Sequence, residues 1–205
     1  YTATQCKKIN DSCYVYHFPK NIAGVTELKV KGKKGTKLRL KHGELLDKNG
    51  MVNMANIDYH YRPTDDSDPF QTDIVILSGK QDRFMPKFNY KGFQFVEVSS
   101  SAPIQLSDEN LIAVEMHSDV PAIGYWSSSS ELLIWKATNS SYLANLFGYP
   151  TDCPQREKNG WTGDAHIAIE TGLYNFDGIS IYEKWMNDFC DEQKDNGVLP
   201  CIIPT

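Results

Sequence analysis

The hydrophobic period of the chain changes at Ser127-Ser128-Ser129-Ser130, and no single regular architecture fits both sides of that change. Before it, apolar and polar residues alternate in short runs separated by turn residues, the pattern of half-buried strands. Leu28 and Val30 alternate with Lys29 and Lys31, and Leu38 and Leu40 with Lys37, Arg39 and Lys41; Gly32-Lys33-Lys34-Gly35 reads as the turn of a hairpin between them. Residues 73–77, 93–98 and 111–114 read as further strands, Asn49-Gly50 as a turn and the acidic, proline-bounded 62–69 stretch as a loop. No helical period of useful length occurs before residue 127.

After it, Leu132, Trp135, Asn139, Leu143 and Leu146 recur at helical spacing, and Ser128 and Glu131 have the spacing of a capping box. A helix is therefore expected over 129–147, followed by a polar loop from Gly148 to Gly163 and a second helix from near Asp164 to about Tyr174. A third helix is expected to begin with Asp177 as its cap and to end at Asn196-Gly197, burying Ile181, Trp185 and Phe189. The fold class that follows is α+β by segregation: an antiparallel β-sandwich over 1–125 and a helical part over 126–205. About three helices on their own would leave apolar stripes exposed to water.

Charge separates the same two parts. Residues 1–125 carry 16 Lys and Arg against 15 Asp and Glu, whereas residues 126–205 carry 5 against 11. An acidic second half cannot neutralise a phosphate backbone, which argues against nucleic acid as a partner. The lysine-rich 28–41 segment places its charges at a two-residue period, so it reads as the solvated side of a sheet. No apolar stretch approaches the roughly 18 residues of a membrane-spanning helix. Five cysteines, none in a C-x-x-C pair, support neither a zinc ribbon nor a complete disulfide framework. A chain opening on Tyr1 reads as a piece of something longer.

Chemistry concentrates between Pro150 and Asp164, where Asp152, Glu157, Asp164, Arg156 and Trp161 share a loop stiffened by proline and glycine. A carboxyl beside an apolar indole loses solvation when charged and retains its proton more readily, which is what a general acid for a glycosidic oxygen needs. Carboxylates that stay charged can accept hydrogen bonds from sugar hydroxyls, and sugar faces pack on indole rings. By themselves the same residues admit a structural reading, with Asp152 and Asp164 as caps, Arg156 as their ionic partner and Trp161 in a core.

The Pro150 to Asp164 segment, continued by Ala165, Glu170-Thr171, Tyr174-Asn175-Phe176-Asp177, Lys184-Trp185, Asp188 and Gly197-Val198-Leu199-Pro200, resembles the catalytic-domain entry of bacterial α-L-rhamnosidases, glycoside hydrolase family 78. Asn21-Ile22-Ala23-Gly24, His42-Gly43-Glu44-Leu45-Leu46, Phe84-Met85-Pro86-Lys87-Phe88 and the run from Gly92 to Val98 are similar to the sandwich that precedes that domain. The resemblance implies the first helices of a truncated (α/α)6 barrel and an inverting mechanism. Glu157 matches the general acid, Asp152 and Asp164 match carboxylates that hold the rhamnose, and Trp161 matches a substrate-packing indole. Arg156 is assigned to the same substrate-binding cluster, and Cys153 fits the motif as a buried, inert residue.

The resemblance also implies that the base is a glutamate beyond residue 205, so the remainder of the barrel is expected from a missing C-terminal segment and this chain alone is expected to be inactive. The expected substrate is a rhamnose-containing glycan or glycoside, met outside the cytoplasm, extracellular or periplasmic, with no cofactor and no metal. The chain departs from the family at His17-Phe18-Pro19, and His17 is expected to be packed or at the surface rather than a ligand. Asp65, Asp66 and Asp68 read as a solvated loop rather than a calcium site. Two other readings stay open: a carbohydrate-binding sandwich with a helical docking segment, and an (α/α)6 glycosidase of other sugar specificity.

Overall fold

The computed structural model describes residues 1–58, 70–130 and 133–204. The 62–69 loop with its three aspartates, and Glu131 and Leu132 of the expected cap and stripe, lie outside the described residues. The chain divides into two compact units, Tyr1–Met116 and His117–Thr205.

The first unit carries β1 (Gln5–Asn10), β2 (Cys13–Lys31), β3 (Lys37–Gly43), β4 (Leu45–Leu46), β5 (Val52–Asn53), the single turn α1 (Ala55–Asp58), β6 (Thr72–Ile76), β7 (Gln81–Phe84), β8 (Lys91–Ser100) and β9 (Leu111–Glu115). Seven of these strands form one antiparallel sheet with the path β1-β2-β8-β3-β6, while β7 and β9 join β2 and the pair β4 and β5 stands apart. The long β2 makes this arrangement workable. From Cys13 to Gly24 it pairs with β8, with a register shift between His17 and Ile22 where Pro19 offers no ladder donor. Beyond the shift it pairs with β9 and then β7.

Even-numbered side chains of β2 before the shift, Tyr14, Tyr16 and Phe18, enter one core with Leu28, Val30, Leu38, Leu40, Phe93, Val96 and Val98. The phenol tips of Tyr14 and Tyr16 each donate to a backbone carbonyl, of Ile104 and Ser107, at 2.9 Å, so burying the rings leaves no polar group unsatisfied.

The expected hairpin between the 28–31 and 37–41 segments does not form. Both segments are strands with the expected faces, since Leu28, Val30, Leu38 and Leu40 are buried and Lys29, Lys31 and Lys37 exposed. Yet the end of β2 pairs with β7 whereas β3 pairs with β8 and β6. Alternation dictates which side chains face inward but not which strand completes the ladder. Here the connecting turn bonds elsewhere: Gly35 N–H donates to Leu77 O at 2.8 Å, and Leu77 N–H returns to Thr36 O at 2.9 Å.

A polar knot lies within this apolar unit. Lys91, fully buried, bonds Asp73 Oδ1 at 2.8 Å, and His42 Nε2 stands 4.0 Å from Asp73 Oδ2. His42 Nδ1 faces Gln71 O at 3.1 Å, which requires the proton on Nδ1, and Nε2 faces the Thr26 hydroxyl at 3.0 Å. Separately, His17 packs edge-on against Phe95 at 5.0 Å between centroids.

The second unit carries α2 (Leu133–Ala144), α3 (Thr162–Asn175) and α4 (Ile179–Glu192). Tyr142 of α2 stacks on Phe176 with ring centroids 5.5 Å apart, and its hydroxyl meets that of Tyr182 on α4 at 2.9 Å. Burial pushes both phenols above their ordinary range. Trp185 packs edge-on against Phe189 and donates its indole N–H to Ile203 O at 2.8 Å.

Two details of the third helix differ from expectation. Its N-cap position is Gly178, and Asp177 is exposed with its N–H committed to Pro121 O. The helix stops at Glu192 because Gln193 is extended; the left-handed Gly197 closes a separate turn by donating to Lys194 O at 2.7 Å. Large apolar side chains stay in water on all three helices, among them Ile134 at 85% exposure, Ile167 at 82% and Ile179 at 58%.

Candidate active site

The segment joining α2 to α3 is held at both ends. At its start, Thr151 N–H donates to Asn145 O at 2.8 Å, against the end of α2. Asp152 and Asn159 then close the loop on itself: Asp152 N–H donates to Asn159 O at 3.0 Å, and Asn159 N–H to Asp152 Oδ1 at 2.9 Å. Lys158 takes a left-handed conformation, φ 56°, to complete the closure.

At its far end the loop runs beside residues 201–203. Ile203 N–H donates to Gly160 O at 2.9 Å and Thr162 N–H to Cys201 O at 3.0 Å. A Cβ on Gly160 would fall 1.9 Å from Ile203 O, so only glycine permits this approach. The carboxylate-bearing loop is therefore clamped by chain about 40 residues downstream.

Within this frame Trp161 Nε1–H donates to Glu157 Oε2 at 2.9 Å. The indole thus meets the carboxylate through its polar edge, not through the apolar face from which the sequence argument started, and it fixes where the carboxylate points. Cys153 is buried; its thiol donates to Asp152 Oδ2 at 2.7 Å and its sulfur accepts Glu157 N–H at 3.4 Å. The Arg156 guanidinium is held above its ordinary value, first by its hydrogen bond to Cys153 and then by the nearby charges of Glu157 and Asp152.

Trp161 occupies the N-cap position of α3 with an extended backbone and makes no side-chain cap bond. Asp164 is exposed in the first turn of α3, where a negative charge suits the helix dipole. It shares with Asp152 the wall of a cleft of about 520 Å³ between α2 and α3, whose other polar lining includes Thr138, Ser141 and Asn145.

Asp152, Arg156, Glu157 and Trp161 are therefore on one loop, whereas Asp164 meets only Asp152 across the cleft, whose lining includes none of Arg156, Glu157 and Trp161. Asn159, Gly160 and the 201–203 segment were not singled out from sequence. A glycine before the tryptophan is a weak signal, and nothing local marks its downstream partner. Among the described residues, no group of three or more His, Cys, Asp or Glu could hold a metal ion. No helix of the described residues is long and apolar enough to cross a membrane.

Two sequence families match this chain. The bacterial alpha-L-rhamnosidase concanavalin-like domain matches residues 7–117, and the bacterial alpha-L-rhamnosidase 6 hairpin glycosidase domain matches residues 121–205. An alpha-L-rhamnosidase of Formosa agariphila is 32% identical over 194 residues, which is 93% of this chain and 20% of that protein. The structure of alpha-L-rhamnosidase from Dictyoglumus thermophilum superposes with a TM-score of 0.88 at 32% identity, over 99% of this chain and 22% of that one. The Streptomyces avermitilis alpha-L-rhamnosidase complexed with L-rhamnose superposes with a TM-score of 0.88 at 26% identity, over 100% of this chain and 19% of that one. The chain spans about a fifth of the length of each of these three relatives. With both halves matched in order and the antiparallel sheet and helical hairpins in place, the chain belongs to the bacterial α-L-rhamnosidase family of glycosidases.

Proposed function

We propose that this chain supplies the acid side of the active site of an inverting α-L-rhamnosidase that removes terminal α-L-rhamnosyl residues from glycans or glycosides. Glu157 is the general acid, and the observation that carries this role is its carboxylate held by the Trp161 indole on a loop pinned at both ends. With Oε2 engaged by the indole, the proton passes from Oε1 to the departing glycosidic oxygen. Asp152 and Asp164, on the wall of one cleft, accept hydrogen bonds from sugar hydroxyls, and Trp161, outside the lining of that cleft, offers its face to the ring from the loop beside it. Arg156 offsets the repulsion among these acids, which would otherwise oppose their sharing one small volume.

Inversion needs a second carboxylate about 6.5–9.5 Å from the acid, across the sugar, to activate water. In this reading it comes from a part of the enzyme outside these 205 residues. Two structurally similar relatives support the substrate class, since both are named α-L-rhamnosidases and one was solved with L-rhamnose.

The test is Glu157→Gln in the full-length enzyme, assayed on an α-L-rhamnoside with an alkyl aglycone and on one with an activated aryl aglycone. Loss of a general acid is expected to slow the alkyl substrate by about 100- to 10,000-fold and the aryl one far less, because a good leaving group needs little protonation. A near-normal rate on the alkyl substrate removes Glu157 from this role.

A further inference from the structure

The thiol of Cys153 is buried and touches both ends of the acid machinery. Its S–H donates to Asp152 Oδ2 at 2.7 Å, its sulfur accepts the Glu157 N–H at 3.4 Å, and Arg156 bonds the same side chain. A residue that only filled space would need none of these bonds, and valine would fill it as well. Asp152 is already tied through its other oxygen to Asn159 N–H, so the thiol completes the orientation of that carboxylate. Through the Glu157 N–H the same sulfur sets the backbone from which the acid projects toward Trp161.

We propose that Cys153 is a positioning residue that sets Asp152 and Glu157 relative to each other, one sulfur atom acting as donor to the first and acceptor from the second. This rests on the reading of Glu157 as general acid. Misplacing a reacting group by about 1 Å can cost on the order of 100-fold in rate.

In the full-length enzyme, Cys153→Ala is expected to slow the alkyl rhamnoside by about 10- to 100-fold and the activated aryl rhamnoside several-fold less, with KM nearly unchanged. Cys153→Ser is expected to recover most of the loss, since a hydroxyl can make both bonds. If Cys153→Ala does not fold, Cys153→Val takes its place, filling the volume with no donor, and the same substrate-dependent loss is expected. Equal slowing of both substrates with serine no better than alanine, or rates near wild type in Cys153→Ala, would overturn the proposal. Glu157→Gln measured alongside separates the two readings. If it shows no leaving-group dependence the acid assignment fails; if it does and Cys153→Ala does not, only the positioning role fails.

Discussion

The two units solve burial in opposite ways. In the first, a continuous antiparallel sheet encloses a core in which even a lysine and a histidine are sealed, Lys91 paired with Asp73 and His42 bonded to Gln71 O and the Thr26 hydroxyl. In the second, three helices bury Tyr142, Leu146, Phe176, Tyr182 and Trp185 while Ile134, Ile167 and Tyr174 remain in water. A sheet that curls on itself can cover both ends of every inward row, whereas a helix carries a stripe that only further helices can cover. The first unit closes its main core with its own strands, although Phe88 at 98% and Ile76 at 70% exposure remain in water there too, and the loop of the candidate site sits in the unit with less burial of its own.

The largest test of this contrast is Asp73→Ala. Lys91 would remain buried without its counter-charge, and breaking such a pair costs about 3–5 kcal/mol. Urea unfolding of the 205-residue chain should show that loss in the transition of the first unit alone. Replacing the pair together, Asp73→Leu with Lys91→Met, is expected to restore most of it, because no buried charge is then left uncompensated. A loss below 1 kcal/mol for Asp73→Ala would mean that water reaches the knot and that the first unit is less sealed than its burial indicates.

A smaller effect probes the packed part of the second unit. Gly172 lies inside α3, where alanine would ordinarily gain about 1 kcal/mol in helix propensity. Its Cβ would fall 2.3 Å from the Tyr142 hydroxyl and 2.4 Å from Cζ, and that ring is fixed by stacking on Phe176 and by its bond to Tyr182. Gly172→Ala is accordingly expected to destabilise the second unit by about 1–3 kcal/mol through overpacking, read by helical circular dichroism on heating. A stabilised variant would show that the Tyr142 ring can move aside.

How much of this was legible in the sequence depended on range. Alternation at Leu28, Val30, Leu38 and Leu40 marked strands and their inner faces, but the pairing of β3 with β6 and β8 depends on residues tens of positions away, and a hairpin was the simplest wrong answer. Lys91 gave no sign of burial, because its partner Asp73 lies 18 positions earlier on another strand. The candidate site was more readable, since Asp152, Arg156, Glu157, Trp161 and Asp164 fall within one loop and one helix turn. What was hidden there was orientation: that the indole offers its N–H edge to Glu157, that Cys153 bonds the Asp152 carboxylate and the Glu157 backbone N–H, and that Gly160 is reserved for the Ile203 carbonyl.

The smallest effect is the sharpest test of the contrast between units. Ile167 is 82% exposed on α3 and Ile134 is 85% exposed on α2, so in the 205-residue chain neither side chain has burial to lose. Surface substitutions away from caps and buried groups change stability by about 0.5 kcal/mol or less, and Ile167→Lys and Ile134→Lys should stay within that range in thermal unfolding. Lysine has helix propensity at least equal to isoleucine, so any residual change should lean toward a gain. A loss above about 1 kcal/mol in either variant would need apolar area that the substitution removes from burial, at about 25 cal/mol per Å² on the order of 40 Å². Among the described residues none covers that area, so such a result would point to copies of the chain associating through these helices, and the loss would then grow with protein concentration.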